Sequence, residues 1–252
     1  MKLTGVWVRR EGSVGEANGG FLFTARMLHV ARVKPLADCR LYTFVDSAYL
    51  GGRDPVDLCR QLCDGGADLV QLRAKDWTKE QVEAVGRQLL PVCDAAGVRL
   101  VINDHPDIAG RIGAPLAHLG QEDFFDAGHG HVREMVPASS GATGLGLGLG
   151  LSSHAPAQAQ RAIAAGAAYV AIGPVYATPT KPGRPAAGLD YVRWAAANVL
   201  ALPWFAIGGI TLSTLEAVLE AGARRICVVS AILNAADVVA VCGEFRRRIV
   251  ER

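Results

Sequence analysis

The feature that most constrains this chain is an alternation of short apolar runs with helix-length segments, which begins at Arg40 and continues to the C-terminus. Such an alternation indicates β-α units and a parallel sheet. The runs are residues 41–45, 69–72, 100–102, 117–119, 145–151, 169–172, 204–207 and 226–229. Eight β-α units in about 210 residues predict an α/β fold of the (β/α)8 TIM-barrel type.

A glycine stands shortly before five of these runs. Glycine adopts the left-handed conformation that ends a helix without the steric cost that other residues meet. We therefore predict helix ends at Gly66, Gly97, Gly113, Gly166 and Gly222. A feature that recurs at five junctions favours one repetitive domain over two dissimilar ones.

Two parts of the chain lack this pattern. Residues 1–38 show no sustained hydrophobic period, and we predict a flexible extension there, ahead of a catalytic barrel at residues 39–252. In the glycine-rich stretch 128–150 the last glycines alternate strictly, so the spacing of a dinucleotide-binding loop is not met. We predict that residues 128–150 form a flexible insertion that leads into the fifth strand.

Charge and cysteine content exclude several classes of partner. With 26 basic and 24 acidic residues, the formal net charge is only +2, so we expect neither a nucleic-acid nor a membrane partner but small-molecule substrates. The most apolar stretch, residues 162–176, is too short to cross a bilayer. The six cysteines never form Cys-x-x-Cys, and we interpret them as buried thiols of a cytoplasmic protein rather than as zinc or disulfide partners.

Polar residues follow the second apolar run. The active site of such a barrel lies at the C-terminal ends of the strands, and alternation puts Gln71, Arg73 and Lys75 on one face there. Two cations that point inward repel each other unless an anion neutralises them, so we predict an anion site. An exposed edge is the alternative, but a closed barrel has no edge strand.

Carboxylates follow the third and fourth runs, at Asp104 and Asp123. Two inward carboxylates raise each other's pKa unless a cation lies between them. Mg2+ is the natural candidate, because one or two carboxylates bind it while substrate phosphates and water complete its coordination. The alternative for Asp104 is that it caps the helix that begins beside Pro106.

The connections after the last three strands suit phosphate binding. Residues 173–185 contain four prolines and two glycines, together with hydroxyl and basic side chains, which suits a lid over phosphates; a plain rigid loop is the alternative. Gly208 and Gly209 precede a helix that is predicted to begin near Ser213, and Ser230 follows the last strand. Barrels often bind a phosphate after strands seven and eight. Two anion sites together suit a reaction that joins two phosphorylated molecules.

Seven segments, in order, resemble the thiamine-phosphate synthase family. They are 71–75 (QLRAK), 103–104 (ND), 118–123 (HLGQED), 150–154 (GLSSH), 173–174 (GP) with 178–183 (TPTKPG), 207–210 (IGGI) and 229–232 (VSAI). The resemblance covers the chain from about residue 40 to the C-terminus.

The resemblance implies a transferase of thiamine biosynthesis. Its substrates would be 4-amino-2-methyl-5-(diphosphooxymethyl)pyrimidine and 4-methyl-5-(2-phosphooxyethyl)thiazole or its carboxylated form, and its products thiamine phosphate and diphosphate. A dissociative course is implied, in which diphosphate leaves first and the thiazole nitrogen then captures a pyrimidine methylene cation. Such a reaction needs no protein nucleophile, and no activated Ser-His or Cys-His pairing can be recognised in the sequence.

Site residues follow from the resemblance position by position. Those implied for the pyrimidine diphosphate are Gln71, Leu72, Arg73, Ala74, Lys75, Asn103, Ser152 and Lys181, among which Arg73, Lys75, Ser152 and Lys181 would be catalytic. Those implied for the thiazole phosphate are Thr178, Pro179, Thr180, Gly209, Val229 and Ser230. Asp104 and Asp123 would bind Mg2+.

Two other functions remain to be weighed. A thiazole tautomerase is a relative that has lost the pyrimidine-diphosphate and metal positions, whereas this chain keeps Arg73, Lys75, Asp104 and Asp123. A noncatalytic barrel that senses thiamine phosphate would not need carboxylates for a metal. Both alternatives are therefore less favoured than the synthase.

Overall fold

The eight strands form one closed barrel. The structure is a computed structural model, and it describes residues 33–136, 146–178, 183 and 185–252. Each strand pairs in parallel with the next and the last pairs with the first. The strands are β1 (Leu41–Asp46), β2 (Leu69–Arg73), β3 (Arg99–Asn103), β4 (Leu116–Leu119), β5 (Gly148–Ser153), β6 (Tyr169–Ile172), β7 (Trp204–Ile207) and β8 (Ile226–Cys227). The predicted (β/α)8 barrel is confirmed.

In the described part of the chain, α-helices follow every strand except β4, after which only short helical turns occur, and these helices cover the outside of the barrel. They are α1 (Pro55–Asp64), α2 (Lys79–Ala96), α3 (Pro106–Ile112), α4 (Pro156–Ala164), α5 (Gly188–Asn198), α6 (Leu215–Glu220), α7 (Ser230–Leu233) and α8 (Val238–Val250). Local side chains fix several helix starts: the Asp54 carboxylate accepts from two backbone N–H groups at the start of α1, and Thr78 and Gln81 form a reciprocal capping box at the start of α2.

All five glycines predicted to end helices have positive φ angles, between 68° and 102°. At the end of α2, for example, the Gly97 N–H donates to carbonyl groups of the last helical turn, and the chain then enters β3. This prediction is confirmed, and it explains why these five helices stop where the next strand can begin.

Strand ends differ in detail from the sequence prediction. β1 extends to Asp46 and β5 to Ser153, whereas β8 already ends at Cys227. Val229 leaves the sheet because its backbone (φ −116°, ψ −86°) is not extended, and α7 begins directly after it. Residue 145, the predicted start of the fifth run, lies outside the described residues.

Two tyrosines fill the barrel interior beside the glycine-rich β5. Tyr42 and Tyr169 are 1% and 0% exposed, and their hydroxyl oxygens lie 2.9 Å apart. A Cβ atom at Gly150 would lie 2.1 Å from Cζ of Tyr169. The last of the alternating glycines, Gly150, therefore lies in β5, where the absence of a side chain leaves space for the ring of Tyr169.

Residues 33–38 contact the N-terminal end of the barrel. The Lys34 ammonium lies 2.6 Å from the buried Asp68 carboxylate, which also accepts from Arg246 at 2.7 Å, and the Ala37 carbonyl accepts from Arg225. Residues 1–32 of the predicted extension and residues 137–145 of the predicted insertion lie outside the described part of the chain. No helix of the described residues is long and apolar enough to cross a membrane.

Candidate active site

A pocket opens at the C-terminal ends of the strands, and all eight strands or their following loops contribute to it. The residues that line it are Phe44, Gln71, Arg73, Lys75, Asn103, Asp104, His118, Gly120, Asp123, Ser152, Ser153, His154, Ala171, Gly173, Pro174, Thr178, Ile207, Gly208, Gly209, Ile210, Cys227, Val228, Val229 and Ser230. Most of the residues that were predicted from separate segments therefore meet in one place.

The polar triplet of β2 faces the pocket as predicted. Gln71, Arg73 and Lys75 all line it, and Gln71 is only 1% exposed. Leu72 and Ala74 do not line it, and the role implied for them stays a prediction. Leu72 points to the outside of the barrel, where its Cδ2 lies 3.9 Å from the position of a Cβ atom at Gly86 of α2, because successive side chains of a strand alternate between faces.

Protein carboxylates neutralise both cations of this triplet. Arg73 donates to the fully buried Asp46 carboxylate at 2.8 Å, and the Lys75 ammonium contacts the Asp104 carboxylate. The repulsion between the two cations is thus relieved within the protein, and the anion site at Arg73 and Lys75 stays a prediction. Asp46, at the end of β1, was missed, although it follows an apolar run in the same way as the other site residues.

Asp104 has an unusual backbone. Its φ angle is +62°, and its N–H donates to the His118 carbonyl at 2.9 Å. For a residue other than glycine this conformation costs roughly 1–3 kcal/mol, and such strain concentrates at functional sites. The α3 helix begins after His105 without a side-chain cap, so Asp104 does not have the capping role considered as the alternative.

Asp123 lies on a short π-helical turn that follows β4. The turn spans Glu122–Asp126 and is anchored by the buried Phe124 and Phe125. The Asp123 carboxylate lies over Gly120, where a Cβ atom would come within 2.9 Å of Oδ2. Glycine at position 120 thus leaves room for the carboxylate beside the pocket.

A chain of hydrogen bonds runs from the pocket into the barrel. Ser152 Oγ lies 2.9 Å from His118 Nε2, His118 Nδ1 lies 3.0 Å from the Tyr169 hydroxyl, and the chain continues through Tyr42 to Gln71. Burial raises the pKa of both tyrosines, so their hydroxyls stay protonated at neutral pH.

Ser152 and His118 lie on neighbouring strands, and their contact is one that the sequence alone does not reveal. A nucleophilic serine needs a base whose imidazolium form is stabilised, commonly by a carboxylate. Here Nδ1 of His118 lies beside the hydroxyl of Tyr169, which stays protonated. The hydrogen-bond chain therefore orients Ser152 and Gln71.

The opposite side of the pocket comes from the last three strands. Thr178, Gly209, Val229 and Ser230 line it as predicted, whereas Pro179, Thr180 and Lys181 lie outside the described residues. The glycine pair has a packing role that the sequence did not reveal. Gly209 has φ +63°, and a Cβ atom there would lie 2.7 Å from the Ala177 carbonyl oxygen, so the loops after β6 and β7 can approach only because the residue is glycine.

Comparison with known proteins places the chain in a family. Residues 41–232 match the family described as thiamine monophosphate synthase. The chain belongs to this family. Thiamine-phosphate synthase of Thermus thermophilus is 46% identical over 195 residues, which cover 77% of this chain and 88% of the relative. That of Acidothermus cellulolyticus is 42% identical over 215 residues, which cover 85% of this chain and 96% of the relative.

A solved structure supports the same assignment. Thiamine phosphate pyrophosphorylase from Pyrococcus furiosus superposes with a TM-score of 0.73 at 26% identity, over 86% of this chain and 98% of that one. The resemblance stated from the seven segments is thereby confirmed, together with the transferase class and the barrel. The chain is also similar to 3-hexulose-6-phosphate synthase (TM-score 0.55, 22% identity), which reflects the shared fold alone.

Proposed function

We propose that the chain joins the pyrimidine diphosphate to the thiazole phosphate, with release of diphosphate and formation of thiamine phosphate, in the pocket described above. Membership of the thiamine monophosphate synthase family supports the reaction. The observation that carries the assignment to this pocket is that residues of both implied substrate sites line one cavity, Arg73 and Asn103 on one side, Gly209 and Ser230 on the other.

The pyrimidine diphosphate is proposed to lie over β2 to β5. The cations of that side, Arg73 and Lys75, would bind the diphosphate together with Lys181, while Gln71, Asn103 and Ser152 would hold the pyrimidine end. All of these except Lys181 are described residues that line the pocket. The thiazole phosphate is proposed to bind on the side of β6 to β8. Its proposed partners are Thr178, Pro179, Thr180, Gly209, Val229 and Ser230.

Charge in the pocket supports a metal cofactor. Among the described residues, the carboxylates Asp104 and Asp123 line the pocket together with Arg73 and Lys75, and Arg73 is already paired with the buried Asp46. A diphosphate adds further negative charge, so its binding needs another cation. Asp104 and Asp123 offer the oxygen ligands that Mg2+ prefers, and the substrate phosphates would complete its coordination. When bound, Mg2+ would offset the charge that develops on the departing diphosphate.

The residues of the chain would bind, orient and shield the reactants. The bond between the methylene carbon and the diphosphate oxygen breaks, its electron pair leaves on the diphosphate, and Arg73 and Lys75 hold that charge. The thiazole nitrogen then forms the new bond to the methylene carbon. Buried positions such as Gln71 and Asn103, which are 1% and 9% exposed, keep water from competing for the cation.

The direct test is to incubate the full chain with both substrates and Mg2+ and to measure diphosphate and thiamine phosphate. We expect equal amounts of the two products. Formation of neither product would refute the proposed reaction, and isomerisation of the thiazole substrate alone would favour a tautomerase.

Two further proposals concern the extent of the catalytic domain and the compartment in which the protein works. We expect residues 39–252 to form the catalytic domain, so deletion of residues 1–26 should leave the rate of thiamine phosphate formation unchanged; a dead truncation would contradict this. We also expect a reducing, cytoplasmic compartment, because all six cysteines are free, even though Sγ of Cys59 lies only 3.6 Å from Sγ of Cys93.

A further inference from the structure

Three cysteines meet on the outside of the barrel, away from the pocket. Cys59 and Cys63 lie one turn apart on α1, and Cys93 lies near the end of α2. Their three Sγ atoms lie within 4.8 Å of one another, and those of Cys59 and Cys93 are 3.6 Å apart. Within the described ranges, no other group of three cysteine, histidine or acidic residues brings its ligand atoms this close.

The spacing of the sulfur atoms fits a metal site. A zinc–sulfur bond of about 2.3 Å and tetrahedral angles place neighbouring sulfurs about 3.8 Å apart. The separation of 3.6 Å between Cys59 and Cys93 is close to this value, and the others, at most 4.8 Å, need only small side-chain adjustments. Three thiolates leave the fourth position of a tetrahedral ion for a ligand from solvent.

The three cysteines differ in their exposure to solvent, and only one of them offers a metal ion a path into the cluster. Cys59 and Cys93 are 0% exposed, whereas Cys63 is partly exposed. The buried neighbours on the two helices are aliphatic, among them Leu58, Leu62 and Leu89. Thiolates select soft ions over hard ones such as Mg2+, so the cluster and the carboxylates of the pocket would not compete for the same metal.

We propose that Cys59, Cys63 and Cys93 form a second metal site, which binds one soft divalent ion such as Zn2+ or Cd2+ with a solvent ligand in the fourth position. The cysteines bind as thiolates, and the protons of the thiols pass to solvent. No electron transfer is involved. The site joins α1 to α2, which precede and follow β2 in the sequence. The bound ion would therefore stabilise the packing of the two helices next to the strand that carries Arg73.

The test uses the reduced, chelator-treated full chain and Cd2+ as the probe. We expect one equivalent of Cd2+ to produce the ultraviolet charge-transfer absorption of cadmium thiolates and to raise Tm, since a ligand that binds the folded state stabilises it. Cd2+ should displace Zn2+ from the site, because thiolates favour the softer ion, whereas excess Mg2+ should not displace Cd2+. If the reduced chain takes up no Cd2+ with this absorption, the proposal is overturned.

Variants locate the site. Cys63→Ser, at the partly exposed position, should weaken Cd2+ binding by roughly a hundredfold, because each ligand carries a large share of the binding free energy. Cys93→Ser should act in the same way. Cys39→Ser is the matched control, a buried cysteine outside the cluster, and it should retain the binding of the unaltered chain. Equal loss in Cys39→Ser, or retained binding in both cluster variants, would overturn the proposal.

Activity provides an independent control. Cys63→Ser should form thiamine phosphate at the same rate and with the same Mg2+ dependence as the unaltered chain, since α1 does not line the pocket. Asp104→Asn, in contrast, should bind Cd2+ at the thiolates normally. Loss of the thiolate absorption in Asp104→Asn would show that the cluster is not a separate site.

Discussion

Gly150→Ala tests how the barrel interior is built. The new Cβ atom would lie 2.1 Å from Cζ and 2.3 Å from Cε1 of Tyr169, which is far inside van der Waals contact. The ring therefore has to move, although it is fully buried and its hydroxyl bonds to Tyr42 and His118. Gly146→Ala is the matched control on the same glycine-rich segment, because a Cβ atom there has nothing within 4 Å.

The magnitude follows from these contacts. Overpacking of a core costs about 1–3 kcal/mol, and each of the two lost hydrogen bonds of Tyr169 adds about 1 kcal/mol. A loss of about 3 kcal/mol in unfolding free energy lowers Tm by roughly 10 °C in a protein of this size. The control should change the unfolding free energy by no more than about 0.5 kcal/mol.

Thermal unfolding followed by circular dichroism measures both variants. Tyr169→Leu in the Gly150→Ala background should recover part of the loss, since the smaller side chain vacates the space, and a double-mutant cycle would show this as coupling. Equal Tm values for Gly150→Ala and Gly146→Ala would refute the argument that the glycine is required by the tyrosine ring.

Three further predictions follow from the site and its surroundings. Asp104→Asn and Asp123→Asn should lower turnover and weaken its dependence on Mg2+; unchanged Mg2+ titration curves would exclude them as ligands. Asp46→Asn should lower the unfolding free energy by about 2–3 kcal/mol in a denaturant titration, because it leaves a largely buried guanidinium without its carboxylate. Burial raises the pKa of Tyr191 from 10.0 to about 12, so the unfolding free energy should fall between pH 10 and pH 12, and Tyr191→Phe should reduce this fall.

The sign of the pH effect follows from linkage. Below pH 10 the Tyr191 phenol is protonated in both states, and its stabilising contribution is fully present. Above this pH the unfolded chain loses the proton first, because the folded state holds it more tightly, so stability decreases until the folded-state pKa is reached. A slope for Tyr191→Phe equal to that of the unaltered chain would contradict this cause.

Local patterns sufficed for much of the active site. Gln71, Arg73 and Lys75 follow an apolar run at alternating positions, and the ends of parallel strands converge in a barrel. Leu72, between Gln71 and Arg73, points away from the pocket because the side chains of a strand alternate. Asp46 carried the same signal as the others and could have been found. The partners of His118 could not, since Ser152 and Tyr169 lie 34 and 51 residues away in the sequence.

The sequence by itself determined the order of strands and helices, the positions where helices end, and the family, because hydrophobic period, glycine conformation and short motifs act over a few residues. Only the tertiary structure decided which groups meet. It paired Arg73 with Asp46, set the ring of Tyr169 against Gly150, and brought Cys93 to the two cysteines of α1. Such contacts join residues far apart in the chain, and packing in three dimensions, not local pattern, selects them.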